Sequence, residues 1–451
     1  MVLQRNANVR LWGWADPREQ ISISGSWFEE RELVKASEDG YWELELQTTN
    51  SKEPQTINLE SKQSSLLLEN ILFGEVWVCS GQSNMQQPMK GFKGQPTVGA
   101  ALAIAKSRNP NLRLFTVKKQ GSKTPQENIR YFQGWTEASP DNVLEFSAVA
   151  YFFGKELQEI LDVPVGLIHT SWGGSRIEAW MSKESLTKFQ PVDLEDTDIR
   201  SKTNKVPTAL FNAMIHPILR YSITGVLWYQ GESNRGDPES YEQLFPEMVA
   251  DWRERWSVGD FPFYYVQIAP FKYSKDNTLF QSIENTAFIR EAQLKCVDKI
   301  PNSGMVVTLD VGAENSIHPP RKKEVSERLL FNALNHTYGY KSVDRFSPIY
   351  DSMIEEDGAL ILSFKHAENG LYAYESLTGF EIAASDRVFY PATAKIINRK
   401  NVSVKSERVK NPVAVRYAWR NWVEGSLFDT NLLPASSFRT DDWENASRCC
   451  K

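Results

Sequence analysis

From Val9 to about Leu68 short alternating segments (VRLWGW, QISISGSW and YWELELQT) are separated by turn residues such as Glu38-Asp39-Gly40. That alternation predicts an antiparallel β unit. Between about 71 and 340 the pattern changes to solidly apolar runs separated by longer stretches at helical spacing, the pattern of a parallel sheet covered on both faces. The predicted strands are EVWVC (75–79), PVGLIH (164–169), GVLWYQ (225–230), FYYVQI (263–268) and MVVTLD (305–310). A helix is predicted over 147–161, where Val149, Phe152, Phe153, Leu157, Ile160 and Leu161 share a face and Ser147 caps the start. Another follows His318, with Pro319 and Pro320 in its first turn and KKEVSERLLFNAL continuing the period. After about 341 strand-like pieces return in ALILSF, GFEIAA, NVSVKS and VAVRYAW. The expected division is an N-terminal β domain at 1–68, an α/β domain at 69–340 and a β-rich region at 341–451.

Composition narrows the function classes. A chain of 451 residues with 41% hydrophobic, 24% charged and 12% aromatic residues is globular and long enough for more than one core. A net charge of −6 with scattered Lys and Arg leaves no footprint for nucleic acid. Fourteen Trp and sixteen Tyr fit a large core, and their flat faces also suit sugar rings. The four cysteines, Cys79, Cys296, Cys449 and Cys450, match neither a disulfide scaffold nor a zinc ligand set, so no metal is expected. No apolar run reaches the ~18 residues of a membrane span, and the first residues lack the regions of a signal peptide.

In open parallel sheets, functional groups gather beyond the carboxyl ends of the strands. EVWVC is followed by SGQSNM, PVGLIH by TSWGGSRIEAW, GVLWYQ runs into GESN, and MVVTLD leads to VGAENSIHPP. These loops supply a serine, a glycine pair, an amide-rich run and a histidine, which are the parts of an acyl-transfer site. Ser83 is the candidate nucleophile, on a turn that Gly81-Gln82 sharpens. Gly173 or Gly174 offers a backbone donor, and Gln230 or Asn234 a side-chain amide, to an oxyanion beside the Ser83 N–H. His318 is the one histidine of five that follows a late strand in a polar loop. Each feature has an ordinary counterpart: a helix cap for Ser83, a turn for the glycines, an ion pair for Glu232, a loop histidine for His318. Their joint placement at strand ends carries the reading. Met85 stands where the α/β-hydrolase elbow needs glycine, and GQSNM lacks the Gly-Lys-Ser/Thr ending of a phosphate loop.

GEVWVCSGQSNM, SWGGSRIEAW, LFNAMIHPI, GVLWYQGESN, IREAQ and IHPPRKKEV, with LTGFEIAASDRVFYPA, NPVAVRYAW and LLPASSFRTDDW near the end, closely resemble the sialate O-acetylesterase family, a branch of the SGNH (GDSL-like) hydrolases. The resemblance begins with MVLQRNANVRLWGWADP, similar to a stretch slightly inside the family's N-terminal β domain. It implies an α/β fold, an SGNH flavodoxin-like three-layer α/β/α domain with flanking β material, and neither metal nor organic cofactor. It implies a serine esterase that releases acetate from O-acetylated sialic acids, with related members acting on xylan, and a secreted or periplasmic setting. Ser83 matches the family's nucleophile, His318 its base, and Gly173, Gly174 and Gln230 to Asn234 its oxyanion loops. Gln82, Asn84, Arg176, Glu178 and Glu232 are the expected substrate contacts, with Arg176 or Arg290 the cation for a sugar carboxylate. Many members carry Asp two places before the histidine, where this chain has Ser316, so the third triad position falls to Asp310, with Glu314 and Glu232 as alternatives. Gln86 stands where the family often has Glu. A free imidazole predicts activity that falls below about pH 6.5. The rival readings are an acetylesterase of xylan or another polysaccharide, and a glycan-binding protein whose esterase site has decayed.

Overall fold

The structure, a computed structural model, describes residues 1–195, 197–273 and 285–443. Cys449 and Cys450 lie outside the described residues. The central sheet is built from β1 (Ser65–Gly81), β2 (Asn109–Val117), β3 (Phe132–Ala138), β4 (Val165–Ser171), β5 (Gly225–Tyr229), β6 (Phe263–Val266) and β7 (Ser303–Val306). Their order is β7-β6-β5-β1-β4-β2-β3. All neighbours are parallel except the β2–β3 pair at one edge. The chain reverses its direction of winding at β1, with β4 on one side and β5 on the other, so the end of β1 is the switch point at which such sheets bind ligands.

Alternation along β1 explains its solid apolar run. Val76 and Val78 enter one core and Trp77 and Cys79 the opposite one, so both faces are dry. On the first face lie α3 (Pro238–Trp256) and α4 (Ala287–Lys299), whose Phe245, Trp252 and Ile289 share the core with Val78 and Trp228. The other face carries α2 (Ala148–Leu161) and α5 (Lys322–Asn332), through Phe153, Leu157, Val325 and Leu329. Ser147 caps α2, its hydroxyl accepting from the Ala150 N–H at 3.2 Å.

Two expected details change. MVVTLD is strand only to Val306: beyond it Arg328 Nη1 takes the Val307 carbonyl at 2.9 Å, and Val307 and Leu309 enter the C-terminal core instead of the sheet. Pro319 and Pro320 precede α5 rather than forming its first turn, because Arg321 is the N-cap and the Pro320 carbonyl already accepts from Val98 N–H at 2.9 Å.

The outer half of β1 pairs antiparallel with the strand Gln55–Glu60 of the N-terminal β unit, so one 17-residue strand runs across the division expected at 68. After α5 two four-stranded antiparallel sheets share a core around Leu362, Ile382, Val402 and Tyr417. Arg290 on α4 pins this region to the α/β unit. Wholly buried, it donates to Ser437 Oγ at 3.0 Å and to the carbonyls of Ala418 and Arg420 at 3.0 and 2.8 Å.

Candidate active site

The nucleophile candidate is positioned by backbone. Gln82 N–H donates to the Tyr229 carbonyl of β5 at 2.9 Å, and Gly81 adopts φ +135, where a Cβ would sit 2.2 Å from that same oxygen. Only glycine fits so close a crossing. A single helical turn, α1 (Ser83–Gln86), starts at once, and the Ser83 N–H at its first position has no intrahelical acceptor. Gly173, after β4, packs against Ser83 so tightly that a Cβ on it would lie 3.2 Å from Ser83 Cβ.

The His318 loop reaches the same place through side chains. Asn84, next to Ser83, donates from Nδ2 to the carbonyl of Ile317, next to His318, at 3.1 Å. Asn84 also donates to Glu232 Oε1 and accepts from Lys322 Nζ, each at 2.5 Å. Asn84, Glu232 and Lys322 are buried, so this polar bridge ties the elbow, the loop after β5 and the start of α5 together inside the protein. Burial raises the Glu232 carboxyl and lowers the Lys322 ammonium to about 7, and each charge partly offsets the shift of the other. Asn84 and Glu232 therefore brace the site from within rather than face a substrate.

The group that meets the His318 ring is an amide. His318 Nδ1 lies 2.6 Å from Gln95 Oε1. A carbonyl oxygen can only accept, so Nδ1 carries the proton and Nε2 the lone pair, the tautomer that a general base needs. Nε2 is buried and unpartnered, and Phe92 stands edge-on to the ring at 5.1 Å. Asp310 does not orient His318, because its carboxylate is held by both terminal nitrogens of Arg328 at 2.8 and 2.6 Å. Glu314 pairs with Lys272 at 2.9 Å. Ser316 staples the loop, its hydroxyl donating to the His318 carbonyl at 2.9 Å and accepting from the His318 N–H at 3.3 Å. With no carboxylate on the ring, burial and then the Lys322 charge pull the imidazole down to about 4, not the 6.5 of a free histidine.

The expected oxyanion donors divide. Gly173 N–H is taken by Gln86 Oε1 at 2.7 Å and is free only when that amide swings away. Gly174, at φ +71, has no acceptor for its N–H among the described residues. Gln230 and Asn234 are committed. Gln230 Nε2 donates to the Ser175 carbonyl at 3.1 Å and to Asn234 Oδ1 at 2.8 Å, while Asn234 Nδ2 donates to Glu178 Oε2 at 3.0 Å. Gln82 Oε1 accepts from Gly231 and Ser233 N–H, both at 3.3 Å. These residues fasten the loops after β4 and β5 to each other and to the elbow.

Neither expected cation is free for a sugar carboxylate. Arg176 grips Glu178 through Nη2 at 2.6 Å, and Arg290 is the buried pin described above. Lys119, past the end of β2, has no ion-pair partner among the described residues and lies 5.9 Å from the ring of Trp172, the residue before Gly173. The sequence reading missed Gln95, Lys322 and Lys119. Lys322, in HPPRKKEV, carried one signal: a lysine on the helix that follows the base loop. Among the described residues no cluster of three or more His, Cys, Asp or Glu can hold a metal ion.

Residues 74–329 match the model of the carbohydrate esterase family described as sialic acid-specific acetylesterase. The chain is 28% identical to the sialate O-acetylesterase of Homo sapiens, over 94% of this chain and 86% of that protein. It is 27% identical to the Mus musculus protein of the same name, over 97% and 92%. Among solved structures, a carbohydrate acetylesterase from Xanthomonas citri superposes with a TM-score of 0.88 at 34% identity, over 98% of this chain and 97% of that one.

Proposed function

The chain belongs to the sialic acid-specific acetylesterase family of carbohydrate esterases, and from that premise we propose that it removes O-acetyl groups from sugars with Ser83 as nucleophile, His318 as base and Gln95 as the group that orients the base. It is a hydrolase of carboxylic esters. The observation that carries the residue assignment is the Gln95 contact, which leaves the Nε2 lone pair unpartnered on a loop tied to the elbow at Asn84.

In this reading His318 Nε2 takes the Ser83 proton as Oγ attacks the acetyl carbonyl. The oxyanion meets the N–H groups of Ser83 and Gly174, and that of Gly173 once Gln86 turns aside. His318 returns the proton to the departing sugar hydroxyl. Water then repeats the sequence on the acetyl-serine and frees acetate. A neutral amide fixes the tautomer but does not balance the imidazolium that forms, so part of the usual carboxylate assistance is missing. An acetyl ester, with an alcohol to expel rather than an amine, tolerates this.

The relatives' names support an O-acetylated sialic acid as substrate, and Lys119 beside Trp172 is the cation proposed to meet its carboxylate. The commitment of Arg176 and Arg290 supports the second reading, a neutral acetylated polysaccharide such as xylan. Among the described residues no helix is long and apolar enough to cross a membrane, and either substrate suits a secreted or periplasmic setting.

The test is acetate release from 9-O-acetylated N-acetylneuraminic acid and from acetylated xylan, by the wild type and Ser83→Ala. Release should fall by a factor of roughly 10³ or more in the variant. The substrate that is turned over decides between the two readings. Undiminished release by Ser83→Ala rejects the nucleophile, and no release by the wild type from either ester turns the reading toward a glycan-binding protein.

A further inference from the structure

A groove of about 800 Å³ opens between α5 and the C-terminal β region. That is within the range of about 300–1,000 Å³ usual for ligand sites. One wall is α5 and the chain just before it, through Asp310, Arg321, Glu324 and Arg328. Arg321 stands three residues beyond His318, within about 11 Å along even a fully extended chain, and its Nη1 donates to the Asp310 carbonyl at 3.1 Å. The groove therefore adjoins the loop that carries the proposed base.

The opposite wall is aromatic and acidic. Tyr374 is 64% exposed, with its ring edge-on to Tyr372 at 5.2 Å and to Phe428 at 5.5 Å. Glu375 and Glu424 also line the groove and form no ion pair within 4.0 Å among the described residues, although Arg321 feels the Glu424 charge, whereas Asp310 and Glu324 are held directly by Arg328 and Arg321. A pyranose ring has an apolar C–H face and a rim of hydroxyl donors. An exposed tyrosine beside unpaired carboxylates answers both. The lining carries five carboxylates and two guanidiniums, so an anionic sugar is repelled.

We propose that this groove is a subsite for uncharged pyranoside units adjoining the acetylated sugar, which rests on the reading of Ser83 and His318 as a carbohydrate deacetylation site. It fits both substrate readings, because only the acetylated residue itself need be acidic. A polymeric or branched glycan thus gains a second hold on the enzyme, and a lone acetylated monosaccharide does not.

The test is calorimetric titration of the full-length Ser83→Ala chain with xylohexaose, lacto-N-tetraose and, as an anionic control, hexagalacturonate. At least one neutral sugar should bind, and adding Tyr374→Ala should weaken it roughly tenfold, with the thermal transition unchanged because Tyr374 is exposed. Hexagalacturonate should not bind. Failure of both neutral sugars, equal affinity with and without Tyr374, or binding of hexagalacturonate that depends on Tyr374 overturns the proposal. No turnover enters this measurement, so an inactive wild type would sink the esterase reading separately. In an active enzyme Tyr374→Ala should raise KM for an acetylated oligosaccharide and leave 4-nitrophenyl acetate hydrolysis unchanged.

Discussion

The two halves of the proposed site are held by different means. Ser83 sits where sheet backbone puts it: β1 is paired with β4 and β5 to its last residues, and Gly81 lets the Tyr229 carbonyl approach. His318 sits in a loop without regular structure, fixed by the Gln95 amide, the Ser316 hydroxyl and the Asn84 bridge. Backbone ladders resist change until the fold gives way, whereas side-chain ties can be altered one at a time. The nucleophile side should therefore fail through stability and the base side through chemistry.

The sharpest way to break this contrast is Gly81→Ala. A methyl group 2.2 Å from a backbone oxygen, at φ +135, should cost more than about 3 kcal/mol of stability, read by chemical denaturation. A variant that kept its stability but lost activity would mean that the elbow is no more rigid than the base loop.

Gln95→Glu probes the other half at smaller expected effect. The imidazole is held near 4, so its neutral, basic form prevails above that pH and the acid limb of kcat/KM should lie near pH 4. A carboxylate on Nδ1 favours the protonated ring and should move the limb up by about 1–3 pH units. Near pH 7 it should raise kcat by roughly tenfold, by balancing the imidazolium of the transition state. A wild-type limb at pH 6.5, or no movement in the variant, would show that the Gln95 contact does not govern the base.

Ser316→Ala should have the least effect. It removes two loop hydrogen bonds, worth about 1 kcal/mol each, and should lower kcat severalfold with a loss of stability of at most about 2 kcal/mol, smaller than that of Gly81→Ala. A large fall in stability with unchanged kcat would reverse the assignment of this loop to chemistry.

What could be read from the chain follows the same division. Ladder-built features leave a local mark: EVWVC, PVGLIH and GVLWYQ are apolar at nearly every position because both faces are buried, and each lies in the central sheet. The edge strand Phe132–Ala138 and its neighbour Asn109–Val117 escaped notice, since a partly exposed pair with register shifts lacks that signature. Gln95 was not legible at all. It lies 223 residues from His318 in a short loop with no periodicity, and an amide does not advertise itself as a triad member. Asp310 was the natural choice by position, and only the fold reveals that Arg328, one helical face away, claims it. Burial likewise stayed hidden, and with it the low pKa of His318 and the inward turn of Asn84, Gln230, Glu232 and Asn234.

The shared strand Ser65–Gly81 has a consequence during synthesis. Its first half can pair with Gln55–Glu60 as soon as both leave the ribosome, but the half that carries the elbow waits for Val165–Ser171 and then Gly225–Tyr229. At roughly 5–20 residues per second that wait is on the order of ten seconds. Throughout it Val76, Trp77 and Val78 hang as an apolar strand edge from an already folded N-terminal unit, which makes this stretch the nascent chain's foremost site for a chaperone to cover.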